Sequence, residues 1–229
     1  MADNPSLSAA VRRRYERLYT GAFYERFVLG KWTAADGQIY PMFSEARHVV
    51  DAAPECDRFV ISCDYGTVNP ASFGLWGHCD GIWYRMREYY YDSRKMGQRR
   101  TDEEHYAALE QLAGDIAVEC VVIDPSAASM IACIQRHGRF RAIPANNEVL
   151  TGIQLVSDLL QQDKLRFCRC CADIRREFQQ YCWNDSAAGD APRKEHDHAM
   201  DDMRYFVSTV VCRKETDSFC VLSAARTQP

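Results

Sequence analysis

Near Thr101 the spacing of apolar residues changes, and that change narrows the folds open to this chain. Upstream, Arg58–Asp64, Ala71–His78 and Ile82–Tyr91 are runs of strand length, rich in β-branched and aromatic residues. Tyr65 to Pro70 reads as a turn, and Cys79-Asp80-Gly81 carries an Asp-Gly hairpin signal. Connections this short join antiparallel neighbours, so a three-strand meander is expected. Downstream the period becomes helical. Thr101 and Glu104 have the spacing of a capping box, which predicts a helix to about Ala117. Strands over Cys120–Asp124, Arg141–Pro144 and Leu165–Cys168 then alternate with helices from Pro125 to about His137, Glu148–Gln162 and Ala172–Trp183. A polar stretch, Asn184–Glu195, precedes a last helix from Asp197 to about Cys212. Short apolar strands separated by helices read as parallel strands buried on both faces. The expected class is α/β: a mixed central sheet, an antiparallel three-strand meander followed by parallel strands, flanked by helices.

Bulk properties set the frame. The 229 residues, 47% hydrophobic and 26% charged, are enough for one ordinary domain with attachments. Residues 1–54 carry little apolar mass and read as a linker, despite a helical pattern over Ser8–Tyr24. Residues 55–213 read as the domain proper, and 214–229 as a mobile tail. No apolar run approaches the roughly 18 to 20 residues that cross a bilayer. The first residues lack a basic segment followed by an apolar one, so no membrane association and a cytoplasmic location are expected. Eleven cysteines, an odd number placed mostly in apolar runs, read as reduced thiols. Cys168, Cys170 and Cys171 lack the paired spacing of a structural zinc site. The net charge of −4 counts mildly against non-specific DNA binding. The positive residues are clustered, however, as in Arg94-Lys95 with Arg99-Arg100, and Arg193-Lys194.

The chemistry is carried by acids. Asp64 and Asp124 each close an apolar β-branched run, where a buried strand ends and side chains reach solvent. Alone, either could be a cap or turn residue. At the ends of adjacent strands the two would repel unless a cation lay between them, and Mg²⁺ or Mn²⁺ prefers such hard oxygen ligands. A third cluster, His196-Asp197-His198-Ala199-Met200-Asp201-Asp202, opens the last helix. Asp197 and Asp201 share a helical face at i, i+4, and His198 lies near both Asp201 and Asp202. Only one of Asp201 and Asp202 faces the sheet well. Asp197 also fits an N-cap, and His198 a packed side chain. No G-x-x-x-x-G-K-[ST] motif is present, so a P-loop ATPase is not encoded here.

The order of elements is that of the ribonuclease H-like fold. The motifs resemble more narrowly the C-terminal nuclease domain of the large terminase subunit of tailed bacteriophages and prophages. The resemblance rests on Gly30-Lys31-Trp32, Asp64-Tyr65-Gly66 with Asn69-Pro70, Asp124-Pro125-Ser126, Asn146-Asn147 with Gly152-Ile153, Tyr181-x-Trp183, and Asp197 through Tyr205. It implies Mg²⁺- or Mn²⁺-dependent cleavage of concatemeric double-stranded viral DNA, with two ions and little sequence specificity. Asp64, Asp124 and Asp201 match the metal-coordinating acids, with Asp202 as the alternative to Asp201. His198 matches a histidine beside the site, and Asp197 an outer acid. The segment from about Asn184 to Glu195 corresponds to a hairpin bordering the site, with Lys194, Arg193 and Arg204 as DNA contacts. The implied partners are the terminase ATPase domain, the small terminase subunit and the portal protein, in the bacterial host cytoplasm. Residues 1–54 would then be the end of that ATPase and its linker. The rival readings are a resolvase or ribonuclease H proper, and a weakly active or inactive module that docks on the portal or ATPase.

Overall fold

A computed structural model describes residues 37–184 and 190–211. The Ser8–Tyr24 helix and the tail over 214–229 lie outside the described residues. The meander forms as expected from β2 (Arg58–Asp64), β3 (Ala71–Cys79) and β4 (Ile82–Tyr91), paired antiparallel. β5 (Val121–Ile123) adds parallel to β2, and β6 (Ala142–Pro144) parallel to β5. β7 (Leu165–Cys168) crosses over to lie parallel to β4 at the other side. With β1 (Val49–Val50) beside β7, the sheet order is β1-β7-β4-β3-β2-β5-β6.

The helices that matter here are α1 (Glu45–His48), α2 (Ser93–Met96), α3 (Asp102–Ala113), α4 (Ala128–His137), α5 (Val149–Gln161), α6 (Ala172–Gln180) and α7 (His198–Phe206). The Thr101–Glu104 capping box is present, and α3 stops where Gly114 takes φ +57°. Each face of the sheet has its own core. Ile61, Cys63, Phe73 and Leu75 pack with Tyr106 and Leu109 of α3 and Met130 and Ile134 of α4. Val60, Trp76 and Val122 pack with Ile153 of α5, Phe178 of α6, and Met203 and Phe206 of α7. Strand side chains alternate, so Val60, Ser62 and Asp64 share the face that α7 covers, and Asp124 follows Val122 onto it. That parity brings both strand-end acids under one helix.

Residues 38–50, expected within a linker, are built into this unit. Ile39 and Tyr40 are buried, the Ile39 N–H donates to the Tyr181 carbonyl, and β1 extends the sheet. The last helix also differs from expectation, since α7 passes at Val207 into a π-helical turn reaching Val211. No helix among the described residues is long and apolar enough to cross a membrane.

Candidate active site

Gly66 permits the sharp turn that presents Asp64. A Cβ there would lie 2.4 Å from the Asn69 carbonyl oxygen. Asp64 Oδ2 and His198 Nδ1 are 2.8 Å apart, joining the end of β2 to the first residue of α7. Asp124 accepts from the Ser126 N–H at 2.7 Å on Oδ1, and from the Tyr205 hydroxyl at 3.1 Å on Oδ2. Asp201, one turn into α7, accepts on Oδ1 from Arg204 Nη2 at 2.9 Å, while Lys194 Nζ lies 3.8 Å from Oδ2. Asp64, Asp197, His198, Asp201 and Lys194 line a cleft of about 680 Å³. Asp124 does not line this cleft; it is joined instead to α7, the helix that carries Asp201, through Tyr205.

The acids differ in their electrostatics, with Asp64 and Asp197 raised and Asp124 lowered. Burial, and then repulsion from Asp201, raises the Asp64 carboxyl to about 6 although His198 opposes the shift. Burial and the Asp201 charge also raise Asp197. Burial works against Asp124 ionisation, but hydrogen bonds from Ser126, Asn147 and Tyr205 outweigh it and hold its carboxyl below the ordinary value. The Tyr205 phenol is pushed up by burial and by Asp64, Asp201 and Asp124, so one ring senses all three carboxylates. Burial disfavours His198 protonation, yet Asp64 outweighs it and raises the imidazole above its usual value. Hard oxygen donors gathered at one cleft, with the Asp64 and Asp197 carboxyls raised by burial and by the Asp201 charge, fit a divalent cation. Among the described residues, no three of the cleft acids bring their oxygens within 4.8 Å of one another.

Among the described residues, Glu103, Cys133 and His137 do place three potential ligand atoms that close. The Arg136 guanidinium already sits there, bonded to Glu103 and 3.6 Å from Cys133 Sγ. A resident cation argues against a metal centre at that surface.

Residues 79–209 match the family described as the terminase RNase H-like domain. The chain belongs to that family. It is 22% identical over 223 residues to the terminase large subunit of Escherichia phage T5, covering 91% of this chain and 50% of the relative. The large terminase of a thermophilic bacteriophage, solved in complex with ADP, is 43% identical and superposes with a TM-score of 0.78, covering 92% of this chain and 54% of that one. The large terminase nuclease of the thermophilic phage G20c, solved with bound magnesium, is 13% identical with a TM-score of 0.59, covering 77% of this chain and 98% of that one, and shares the fold. The chain spans about half the length of the curated relative it matches.

Two assignments for this terminase RNase H-like domain are corrected by its geometry. Asp202 is not a cleft residue. It is fully buried against the sheet, bonded to Arg85, Ser72 and Ser62, with Arg85 Nη1 at 2.5 Å and Nη2 at 3.0 Å. Successive helical residues point about 100° apart, so with Asp201 toward the cleft Asp202 must meet β2, β3 and β4. Arg204 is not a DNA contact. It is buried, and its guanidinium is spent on Asp201 and on the Asn147 carbonyl at 2.8 Å. Lys194 stands at the cleft mouth, 3.7 Å from Asp197. Arg193 is exposed, and its N–H donates to the Cys182 carbonyl where 182–184 pair antiparallel with 191–193; the rest of the expected bordering hairpin, 185–189, lies outside the described residues. Asp197 occupies the N-cap position without a side-chain cap bond. The Ala199 N–H instead donates to Glu177, whose carboxyl burial raises to about 7.

Tyr205, Asn147, Arg85 and Glu177 were missed as supporting residues. Asn147 and Tyr205 stood inside recognised motifs, but Arg85 and Glu177 carry no local signal. Gly152 explains its place in the Gly-Ile pair, because a Cβ there would lie 2.5 Å from Arg204 Cγ. In an unobstructed helix Gly→Ala gains about 1 kcal/mol. Gly152→Ala is expected instead to lower the thermal midpoint, because Arg204 must move off Asp201. A midpoint that rises by the ordinary helix increment would refute that contact.

Proposed function

We propose that this chain is a metal-dependent endodeoxyribonuclease that cuts concatemeric viral double-stranded DNA during genome packaging, with little sequence specificity. The observation that carries the reading is that α7, which bears Asp201, also binds the other two acids, Asp64 at the end of β2 through His198 and Asp124 just beyond β5 through Tyr205. Asp64, Asp124 and Asp201 would hold Mg²⁺ or Mn²⁺, two ions in all. When bound, such ions supply Lewis-acid charge for in-line displacement at phosphorus, activating the attacking water and offsetting charge on the leaving 3′ oxygen.

The remaining roles belong to this chain's own groups. His198 occupies Oδ2 of Asp64 and leaves Oδ1 as a ligand oxygen. Arg204 fixes Asp201 through Oδ1 and leaves Oδ2 on the Lys194 side. Tyr205 and the Ser126 N–H orient Asp124. Each carboxylate oxygen has two lone pairs, so these bonds do not exhaust the ligands. Lys194 at the mouth can exchange its acid partners for a phosphate, a contact that carries no sequence information. The bound magnesium of the G20c nuclease supports the choice of ion. Likeness to about half of the larger terminase solved with ADP supports work beside an ATPase domain; the small terminase subunit and the portal protein as further partners, and the bacterial host cytoplasm as the location, belong to the same proposal.

Incubation of the chain with supercoiled plasmid and Mn²⁺ is expected to give nicked and linear products at many sites, and none with EDTA. Intact plasmid in Mn²⁺ would overturn the nuclease reading in favour of a docking module.

A further inference from the structure

The cleft has a second cationic wall that the acidic motifs do not announce. Arg94 and Lys95 of α2 line it together with the loop after β2, whereas Lys194 enters from the segment before α7. The wall is built rigidly for so short a helix. Asp92 accepts from the Arg94 and Lys95 N–H groups at 3.1 and 3.3 Å, and Gly97 closes the turn at φ +66°. Ser93 Oγ donates to the Thr67 carbonyl at 3.4 Å, and Arg94 Nη2 donates to Asn69 Oδ1 at 2.8 Å. These bonds fix α2 to the loop that follows the catalytic strand. The partner of the Arg94 guanidinium is a neutral amide, so its charge stays uncompensated there. The Lys95 ammonium lies 3.6 Å from Asp92 and is 69% exposed. Arg100, from the same basic run, differs. It stacks on Tyr91 at 4.3 Å and bonds the Tyr89 hydroxyl, away from the cleft lining.

A polyanion entering this cleft meets a floor of carboxylates, so its phosphates away from the ions must be held from the walls. The guanidinium fork matches phosphate oxygens, and an ammonium adds a mobile point charge. We propose that Arg94 and Lys95 form a phosphate-binding wall that holds the DNA backbone flanking the scissile phosphate. The proposal rests on the nuclease reading, and it replaces Arg204, which is buried, as the source of charge.

The test is binding of the 229-residue chain to a fluorescent random-sequence DNA duplex in EDTA, titrated against salt. Each phosphate contact adds about 0.9 to the slope of log affinity against log salt. Arg94→Gln/Lys95→Gln is therefore expected to flatten the slope by about 1.8, and to lose about tenfold less affinity than wild type between roughly 50 and 200 mM salt. The loss should be equal for unrelated duplex sequences, with the variant still folded by circular dichroism, and Arg94→Lys/Lys95→Arg should restore the slope. An unaltered slope in the glutamine variant, or no duplex binding by wild type at low salt, would overturn the wall. Wild type that binds with the expected slopes yet fails to nick plasmid in Mn²⁺ would overturn the nuclease reading and leave the wall standing.

Discussion

Asp64→Asn is expected to lose Mn²⁺-dependent plasmid nicking by on the order of 10³-fold or more and, without metal, to be more stable than wild type. The activity loss follows from removing a ligand charge, because metal stabilisation of a transition state is worth several kcal/mol and each 1.36 kcal/mol is a decade in rate. The stability gain follows from burial. Asp64 ionises at about 6 in the fold and at 3.8 when exposed, through desolvation and the nearby Asp201. Between those values the fold retains a proton that the unfolded chain has released. Metal-free stability is therefore highest below the unfolded value and falls as pH rises through about 6. Asparagine removes that decline. Thermal melts in EDTA at pH 5 and 8 should show a flatter profile for the variant. Mg²⁺ should raise the wild-type midpoint more than that of the variant. A variant that nicks normally, or that responds to Mg²⁺ as wild type does, would remove Asp64 from the metal set.

Arg85→Leu is expected to destabilise the fold by roughly 3–5 kcal/mol, a drop in thermal midpoint on the order of 10 °C, because it strands a buried carboxylate. Arg85 and Asp202 are fully buried. Ser62, which bonds Asp202 at 2.8 Å, also accepts from Trp76 Nε1 at 2.9 Å. Gly74 leaves the room: a Cβ there would lie 2.3 Å from Arg85 Nη1. Asp202→Leu should cost a similar amount, and the double leucine variant much less than the sum, since an apolar pair strands no charge. Denaturant midpoints of the four proteins give the coupling. Were Asp202 a metal ligand, Asp202→Asn would keep the wild-type midpoint in EDTA and lose Mg²⁺ stabilisation. That outcome would reverse the assignment.

Most of the element order was legible because it depends on local spacing. β2 and β4 have the expected bounds, since alternation and the Asp80-Gly81 turn fix strand ends within a few residues. Helix ends moved inward where a longer-range bond took over. α6 stops at Gln180 because 182–183 pair with Gln38 and Pro192. β1 escaped notice because two valines form a strand only when β7 is beside them.

The candidate site divides the same way. The sequence by itself placed Asp64 and Asp124 at strand ends, and the β2–β5 register, which pairs Ser62 with Val122, put them on one face of the sheet. It also placed Asp201 and Asp202 on one helix, but helical spacing alone does not say which of two neighbours meets the sheet. Packing of α7 decided that. The partner that claims Asp202 is Arg85, 117 residues away, and the one that holds Asp201 is a buried Arg204 that sequence reading assigned to DNA. The recruitment of Arg94 and Lys95, but not Arg100, to the cleft was likewise a tertiary decision. Local spacing fixes the direction of a side chain along its own element. The charge it finally meets is set by which elements the two cores bring together.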